Sequence, residues 1–129
     1  MSTIKLEIVT PHGVVYNDDV KMVTLCGKDG EFGVLPGHAA LVSLLDAGVI
    51  SATTDDNKEI VVAINGGYAK VSEDKVSCIV DGAVAITDEE GQLSENLEKA
   101  KELLKKAQTS DTAIAAAVSK IESIKKKWL

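Results

Sequence analysis

The chain has 129 residues, of which 45% are hydrophobic and 26% charged, and its formal net charge is −6. This length predicts one compact core of about 85 residues with an appendage. No apolar run approaches the roughly 20 residues that span a bilayer. The negative charge argues against a nucleic-acid-binding protein, which needs clustered cations. All 14 cationic residues are lysine, so the arginine forks that clamp phosphate best are absent.

The charge is unevenly distributed. Residues 1–88 carry 13 acidic residues and 6 lysines, whereas residues 89–129 carry 7 acidic residues and 8 lysines. An acidic body and a weakly basic tail are expected to face different neighbours. Residues 1–5 have neither the apolar stretch of a signal peptide nor the Arg-rich character of a mitochondrial transit peptide. We therefore expect the protein to remain where it is made.

Residues 5–86 predict short β-strands separated by turns. Residues 5–9 alternate polar and apolar side chains, whereas residues 60–64 are apolar throughout, which favours a strand that packed sheets cover on both faces. The Gly-Gly segment at residues 65–68 predicts a hairpin connection. Turn signals recur about every 8–12 residues, as in a sandwich or barrel. They lie at residues 11–13, 17–19, 27–30, 55–57, 66–67, 73–74 and 81–82.

The apolar period becomes helical after residue 88. A first stripe begins at Leu93, with Glu95 and Glu98 near its start and Lys105 near its end, which suits the helix dipole. The two stripes, separated by a turn at residues 109–111, predict a helical hairpin whose contact is worth only a few kcal/mol. Their members are Leu93, Leu97, Ala100, Leu104 and Ala107, then Ile114, Ala117, Val118, Ile121 and Ile124. We therefore divide the chain into a β-sandwich domain at 1–87 and a helical hairpin at 88–129.

The cysteines and histidines offer little for catalysis. Cys26 and Cys78 lie in strand-like runs beside apolar or small residues, which predicts buried free thiols. His12, in a Pro-His-Gly turn, is predicted to be solvated, and a metal site joining it to His38 and the cysteines would lack any CxxC or HxxxH pair. His38 is predicted to be a surface contact, because only Glu31 is near enough in sequence to orient a general base. A small sandwich enzyme using either histidine remains an alternative without a supporting constellation.

The most informative segment is residues 30–41, with the sequence GEFGVLPGHAAL. Its Pro36-Gly37 pair predicts a turn in a fixed loop. The neighbouring side chains of Phe32, Val34 and Leu35 then either point outward as a docking surface or fold back into the core. The residues alone leave both alternatives open.

This segment, the opening at residues 4–9 and the two-helix tail together resemble the epsilon subunit of F-type ATP synthases. The resemblance implies a flattened β-sandwich of about ten strands followed by a C-terminal antiparallel two-helix hairpin. It implies a rotor subunit without catalytic site or cofactor, which binds the gamma subunit and the c-ring. Ala40 departs from a proline often found in the family. The implied c-ring/gamma interface comprises Glu31, Phe32, Gly33, Val34, Leu35, Pro36, Gly37 and His38.

The resemblance also concerns ATP binding. Some bacterial members bind ATP through a motif of Ile or Leu, Asp, two variable residues, Arg and Ala. The matching segment here is residues 95–100, in which Asn96 replaces the aspartate, Lys99 replaces the arginine and Ala100 is retained. Because both charged anchors are altered and the chain contains no arginine, we expect weak or absent ATP binding.

A regulatory role follows from the same resemblance. If the tail extends along gamma, its lysines would transiently meet acidic surfaces of the alpha and beta catalytic subunits and inhibit ATP hydrolysis; these lysines are Lys120, Lys125, Lys126 and Lys127. The expected location is the cytoplasmic face of a bacterial inner membrane, with a plastid thylakoid second, in a proton-translocating complex that binds no nucleic acid. The alternative from another class is a free-standing β-sandwich adaptor outside any rotary ATPase.

Overall fold

The computed structural model describes residues 3–86 and 93–106. These residues form seven β-strands followed by one α-helix, which confirms the mainly β body and the helical start of the tail. In this part of the chain, no helix is long and apolar enough to cross a membrane. The elements are β1 Ile4–Thr10, β2 Gly13–Gly27, β3 Gly30–Val34, β4 Leu41–Thr54, β5 Glu59–Val71, β6 Lys75–Val80, β7 Ala83–Ile86 and α1 Leu93–Lys106.

The strands form one sheet that folds into two layers. Its order is β1-β6-β5-β4-β2-β3, with β7 beside β5 and a β1–β2 pairing that closes the sheet. All pairs are antiparallel except β1–β6. Two long strands change partners along their length: β2 pairs with β1 through residues 13–20 and with β3 through residues 23–27, and β5 pairs with β7 through residues 61–64 and with β6 through residues 67–71. The described residues thus hold seven strands where about ten were expected, because long strands such as β2 and β5 each take part in more than one pairing.

The main core lies between the layers and is aliphatic. Ile4, Leu6 and Ile8 on β1 are each at most 1% exposed, because alternate residues of a strand face the same side. No polar or charged residue is buried within the described ranges, so apolar burial is the main force holding the layers together. The other core residues include Val20, Val23, Leu25, Val34, Leu45, Ile50, Val62, Ile64, Val71, Val76 and Val80.

A second apolar layer lies on the outer side of β5. Val61 and Ala63 are at most 1% exposed although they face away from Val62 and Ile64 in the main core. Helix α1 contacts β5 and β7, and its Ala100 is fully buried. The prediction that residues 60–64 are covered on both faces is therefore confirmed, but a helix covers the second face instead of another sheet.

Two predicted turns are wrong. Residues 17–19 lie within β2, where Asn17 pairs with Glu7 and Asp18 pairs with Leu6. Their side chains are exposed, so the backbone ladder forms without desolvating them. Residues 65–68 are likewise inside β5 and do not connect a hairpin. Gly66 and Gly67, with φ of 116° and 150°, instead allow β5 to bend between the layers.

Only the first predicted helix falls within the described residues. Helix α1 has 14 residues and ends at Lys106, close to the predicted end of the first stripe. The second helix, its stripe from Ile114 to Ile124, and the lysines at positions 120 and 125–127 lie outside the described residues. The hairpin and the tail's regulatory role therefore stay predictions.

Candidate docking surfaces

The predicted docking segment is partly strand and partly loop. Gly30–Val34 forms β3 and pairs with β2, so the loop proper is residues 35–40. Val34 is fully buried, and Phe32 is half-buried against the core. Of the two alternatives that the sequence left open, these two apolar side chains take the core, because the alternation of β3 turns them toward it. Leu35, just past the strand, is 57% exposed.

Backbone hydrogen bonds hold the loop in one shape. Gly37 N donates to Glu73 O at 2.8 Å, and His38 N donates to Leu35 O at 3.1 Å. Gly37 has a φ of 85°, which a side chain would strain. The loop is thereby attached to the β5–β6 turn and forms one end of the sandwich. Of the expected interface residues, Glu31, Gly33, Leu35 and Gly37 are exposed, and Pro36 and His38 are half-buried.

His38 is engaged with the backbone of its own loop. Its Nδ1 lies 2.7 Å from Ala39 O. A carbonyl oxygen only accepts, so Nδ1 carries the proton and Nε2 is the acceptor of the neutral ring. This bond orients the ring without a carboxylate, which suits a contact residue better than a general base.

A continuous row of apolar side chains crosses the outer face of the sheet from β4 through β5, β6 and β1 to β2. Leu44 pairs with Tyr68, and Tyr68 pairs with Ile79. The row continues through Val9 on β1 and Val14 on β2. Residues paired across neighbouring strands share a face, so these five side chains form one surface, called the apolar row below. Leu44 is 60%, Tyr68 41%, Ile79 40% and Val14 62% exposed.

Polar side chains border the apolar row. The bordering residues are each two positions away from a member of the row on the same strand, and they are Lys70, Ser77 and Glu7. Lys75 Nζ lies 3.6 Å from Glu7 Oε1, and Ser77 Oγ donates to that oxygen at 3.4 Å. An exposed apolar patch with a polar border is typical of a protein contact site. Sequence reasoning missed this patch because residues 41–45 of β4 place apolar side chains on both faces of the strand, so the sequence does not show which face points outward.

The helical segment carries the altered ATP motif. Ala100 is fully buried and Lys99 is exposed, while the side chain of Asn96 lies outside what the structure describes. A surface hollow of about 340 Å³ on α1 is lined by both signs of charge. Such a lining offers no clear preference for a polyanion. Its lining residues are Glu98, Lys99, Lys101, Glu102 and Lys105.

The thiols are free, as predicted. Cys78 is buried and Cys26 half-buried, with Cys26 Sγ 3.4 Å from Asp46 O. Burial, with a smaller contribution from the neighbouring Cys26, raises the pKa of the Cys78 thiol to about 12. Cys78 is therefore a protonated core residue at neutral pH and not a nucleophile. Among the described residues, no group of three or more His, Cys, Asp or Glu side chains is arranged to hold a metal ion.

Comparison with known proteins supplies independent findings. Residues 3–86 match the model of the "ATP synthase, Delta/Epsilon chain, beta-sandwich domain" family. The chain is 61% identical to the "ATP synthase epsilon chain" of Sulfurovum sp. (strain NBC37-1), over 99% of this chain and 100% of that relative. It is 52% identical to the chain of the same name from Aliarcobacter butzleri (strain RM4018), over 95% and 98% of the two chains.

Solved structures agree with the fold. A chain in the cryo-EM structure of Euglena gracilis mitochondrial ATP synthase, OSCP/F1/c-ring, has a TM-score of 0.64 and 26% identity, covering 95% of this chain and 74% of that chain. A chain in the Tetrahymena thermophila mitochondrial ATP synthase central stalk/c-ring structure has a TM-score of 0.56. At 14% identity, over 84% of this chain and 98% of that chain, it supports the fold alone.

Proposed function

We propose, because this chain belongs to the family of ATP synthase epsilon chains, that it joins the gamma subunit to the c-ring in the central stalk of a bacterial F-type ATP synthase. Epsilon chains are non-catalytic accessory subunits. The chain thus transmits rotation between the proton-driven ring and the catalytic head. We place it peripherally on the cytoplasmic face of the inner membrane, through the complex.

The apolar row carries the proposal for gamma. Four of its side chains remain 40–62% exposed in the isolated chain. Fully burying a large apolar side chain stabilises by about 1.5–3 kcal/mol, so covering the remaining half of each would contribute roughly 3–6 kcal/mol in total. Tyr68 sits in the middle of the row, and tyrosine is frequent at binding hot spots. A partner fixed throughout rotation needs a surface of this kind.

The loop at the sandwich end carries the proposal for the c-ring. The bond from Gly37 to Glu73 fixes its shape before binding, so little conformational entropy is lost on docking. Its one exposed large apolar side chain is Leu35, and strand β3, which precedes the loop, adds the exposed side chain of Glu31. An apolar contact together with a polar side chain suits the polar loops of a membrane ring. Because the loop and the apolar row occupy different parts of the molecule, both partners can bind at once.

Binding measurements with separated partners test these assignments. Tyr68→Asp should weaken binding to purified gamma by about 30-fold or more, the size of a hot-spot loss of 2 kcal/mol. Leu35→Asp should leave gamma binding unchanged and weaken association with detergent-solubilised c-ring. Asn57→Asp is the control, since it adds the same charge at an exposed turn where Asn57 Oδ1 accepts a bond from Lys21 that aspartate retains. Equal gamma affinity for Tyr68→Asp and Asn57→Asp would exclude the apolar row as the gamma site.

The tail is proposed to inhibit ATP hydrolysis. The supporting observation is the charge difference between residues 1–88 and 89–129. ATP hydrolysis by the reconstituted catalytic complex is measured with the full chain and with residues 1–88. Inhibition by the full chain alone is expected, whereas equal rates would remove inhibition as the tail's role. A free-standing adaptor, the second candidate, would bind neither gamma nor the ring.

A further inference from the structure

The side chain of Asn65 lies beside helix α1 with one polar atom unsatisfied. Its Oδ1 is buried and has no hydrogen-bond partner. Asn65 pairs with Ala47, and it shares the outward face of β5 with Val61 and Ala63. A buried carbonyl without a partner costs about 1–3 kcal/mol relative to a hydrated one. The surrounding apolar face therefore contains one unfavourable position.

A close approach between Gly82 and α1 locates this position. A Cβ built on Gly82 would lie 3.3 Å from Leu103 Cδ1, 3.1 Å from Asn65 Nδ2 and 3.4 Å from Asn65 Oδ1. Asn65 N also donates to Gly82 O at 3.3 Å. The absence of a side chain at Gly82 thus lets Leu103 of α1 approach the Asn65 amide. At this position a methyl group of the helix faces a polar atom of the sandwich.

We propose that Asn65 is a built-in release point that weakens the docking of α1 on the sandwich. With α1 docked, Oδ1 is shielded from water and unpaired; with α1 displaced, water reaches the amide. The unfavourable free energy therefore falls on the docked state alone. The remaining contacts, from Ala100 and Leu103, keep α1 in place, and a competing partner for the helix needs less free energy to displace it. This inference concerns the chain by itself and does not rest on the proposed function.

Hydrogen exchange of the full-length chain tests the proposal. Asn65→Leu keeps the length and branching of the side chain and removes the polar atoms, so the protection factors of α1 amides should rise roughly 5- to 150-fold. Asn17→Leu is the matched control, because Asn17 is exposed on β2 and an identical change there should leave α1 protection unaltered. Amides of β1 and β6 report in each variant whether the sandwich remains folded.

A second variant guards against a poor fit of leucine. Asn65→Asp preserves the shape and adds a charge beside α1, so α1 protection should fall at neutral pH and recover on acidification, when the carboxylate is protonated. Unchanged or lower α1 protection in Asn65→Leu, with β1 and β6 still protected, would overturn the proposal. Unchanged α1 protection in Asn65→Asp would overturn it as well, because it would mean that the site is hydrated with the helix docked.

Discussion

Replacing Gly67 with alanine tests whether a close backbone contact sets the bend in β5. An alanine Cβ at Gly67 would lie 2.2 Å from Ile79 O and 2.7 Å from Val80 Cα. Both atoms belong to the backbone of β6, so no side-chain rotation can relieve the overlap. At Gly66 the nearest atom to such a Cβ is Leu45 O at 3.6 Å, an ordinary contact. The two glycines therefore separate conformational strain from steric overlap.

The expected costs differ accordingly. Gly66→Ala should lower the free energy of unfolding by about 1–3 kcal/mol, the strain of a left-handed backbone position. Gly67→Ala adds a displacement of about 1 Å between β5 and β6, with loss of ladder hydrogen bonds worth about 0.5–1.5 kcal/mol each and of core packing. We expect a total of about 4 kcal/mol or more by urea unfolding at an unchanged m-value. Equal destabilisation by the two substitutions would refute this explanation of the bend.

Two further predictions concern buried positions. Burial, with Cys26 nearby, raises the pKa of the Cys78 thiol from 9.0 to about 12, so the folded state retains this proton and the free energy of unfolding should fall as the pH rises above 9. The loss should be about 1 kcal/mol by pH 10. The urea midpoints of the Cys78→Ala variant should lack this dependence on pH. Ala100→Glu should place a carboxylate in the buried contact of α1 and raise the exchange of α1 amides at least tenfold while β1 stays protected, whereas Glu98→Gln on the exposed side of α1 should change neither. A flat pH profile in the native chain, or a protected helix in Ala100→Glu, would contradict the respective argument.

Strand positions were readable from the sequence where one face of a strand is buried. Ile4, Leu6 and Ile8 alternate with polar residues, and that period alone places them in the core. Turns with no competing pairing, such as residues 28–29, were also predicted correctly. The errors at residues 17–19 and 65–68 have a common cause: local turn propensity is weak, and long strands that pair with two neighbours override it.

The candidate docking surfaces were only partly predictable. The resemblance pointed to the segment around Pro36-Gly37, but it did not show that Val34 and Phe32 turn toward the core, because that depends on the pairing of β3 with β2. The apolar row could not be found in one sequence at all. Its members come from five strands, and only the registers between them show that Leu44, Tyr68 and Ile79 are adjacent.

The two outer faces of the sandwich are chemically alike but differ in their cover. On one face, Val61, Ala63 and Ile86 are at most 2% exposed, on the side of β5 and β7 that α1 contacts. On the other, the apolar row remains open. Leaving a large apolar side chain exposed costs roughly 1.5 kcal/mol or more, so displacing α1 uncovers a second apolar face unless a partner replaces the helix. A weak position such as Asn65 lowers that barrier without removing the apolar contacts that return the helix to its place. Displacement of α1 should therefore depend on what binds the helix, and a partner bound to the apolar row, as we propose for gamma, need not leave when the helix moves.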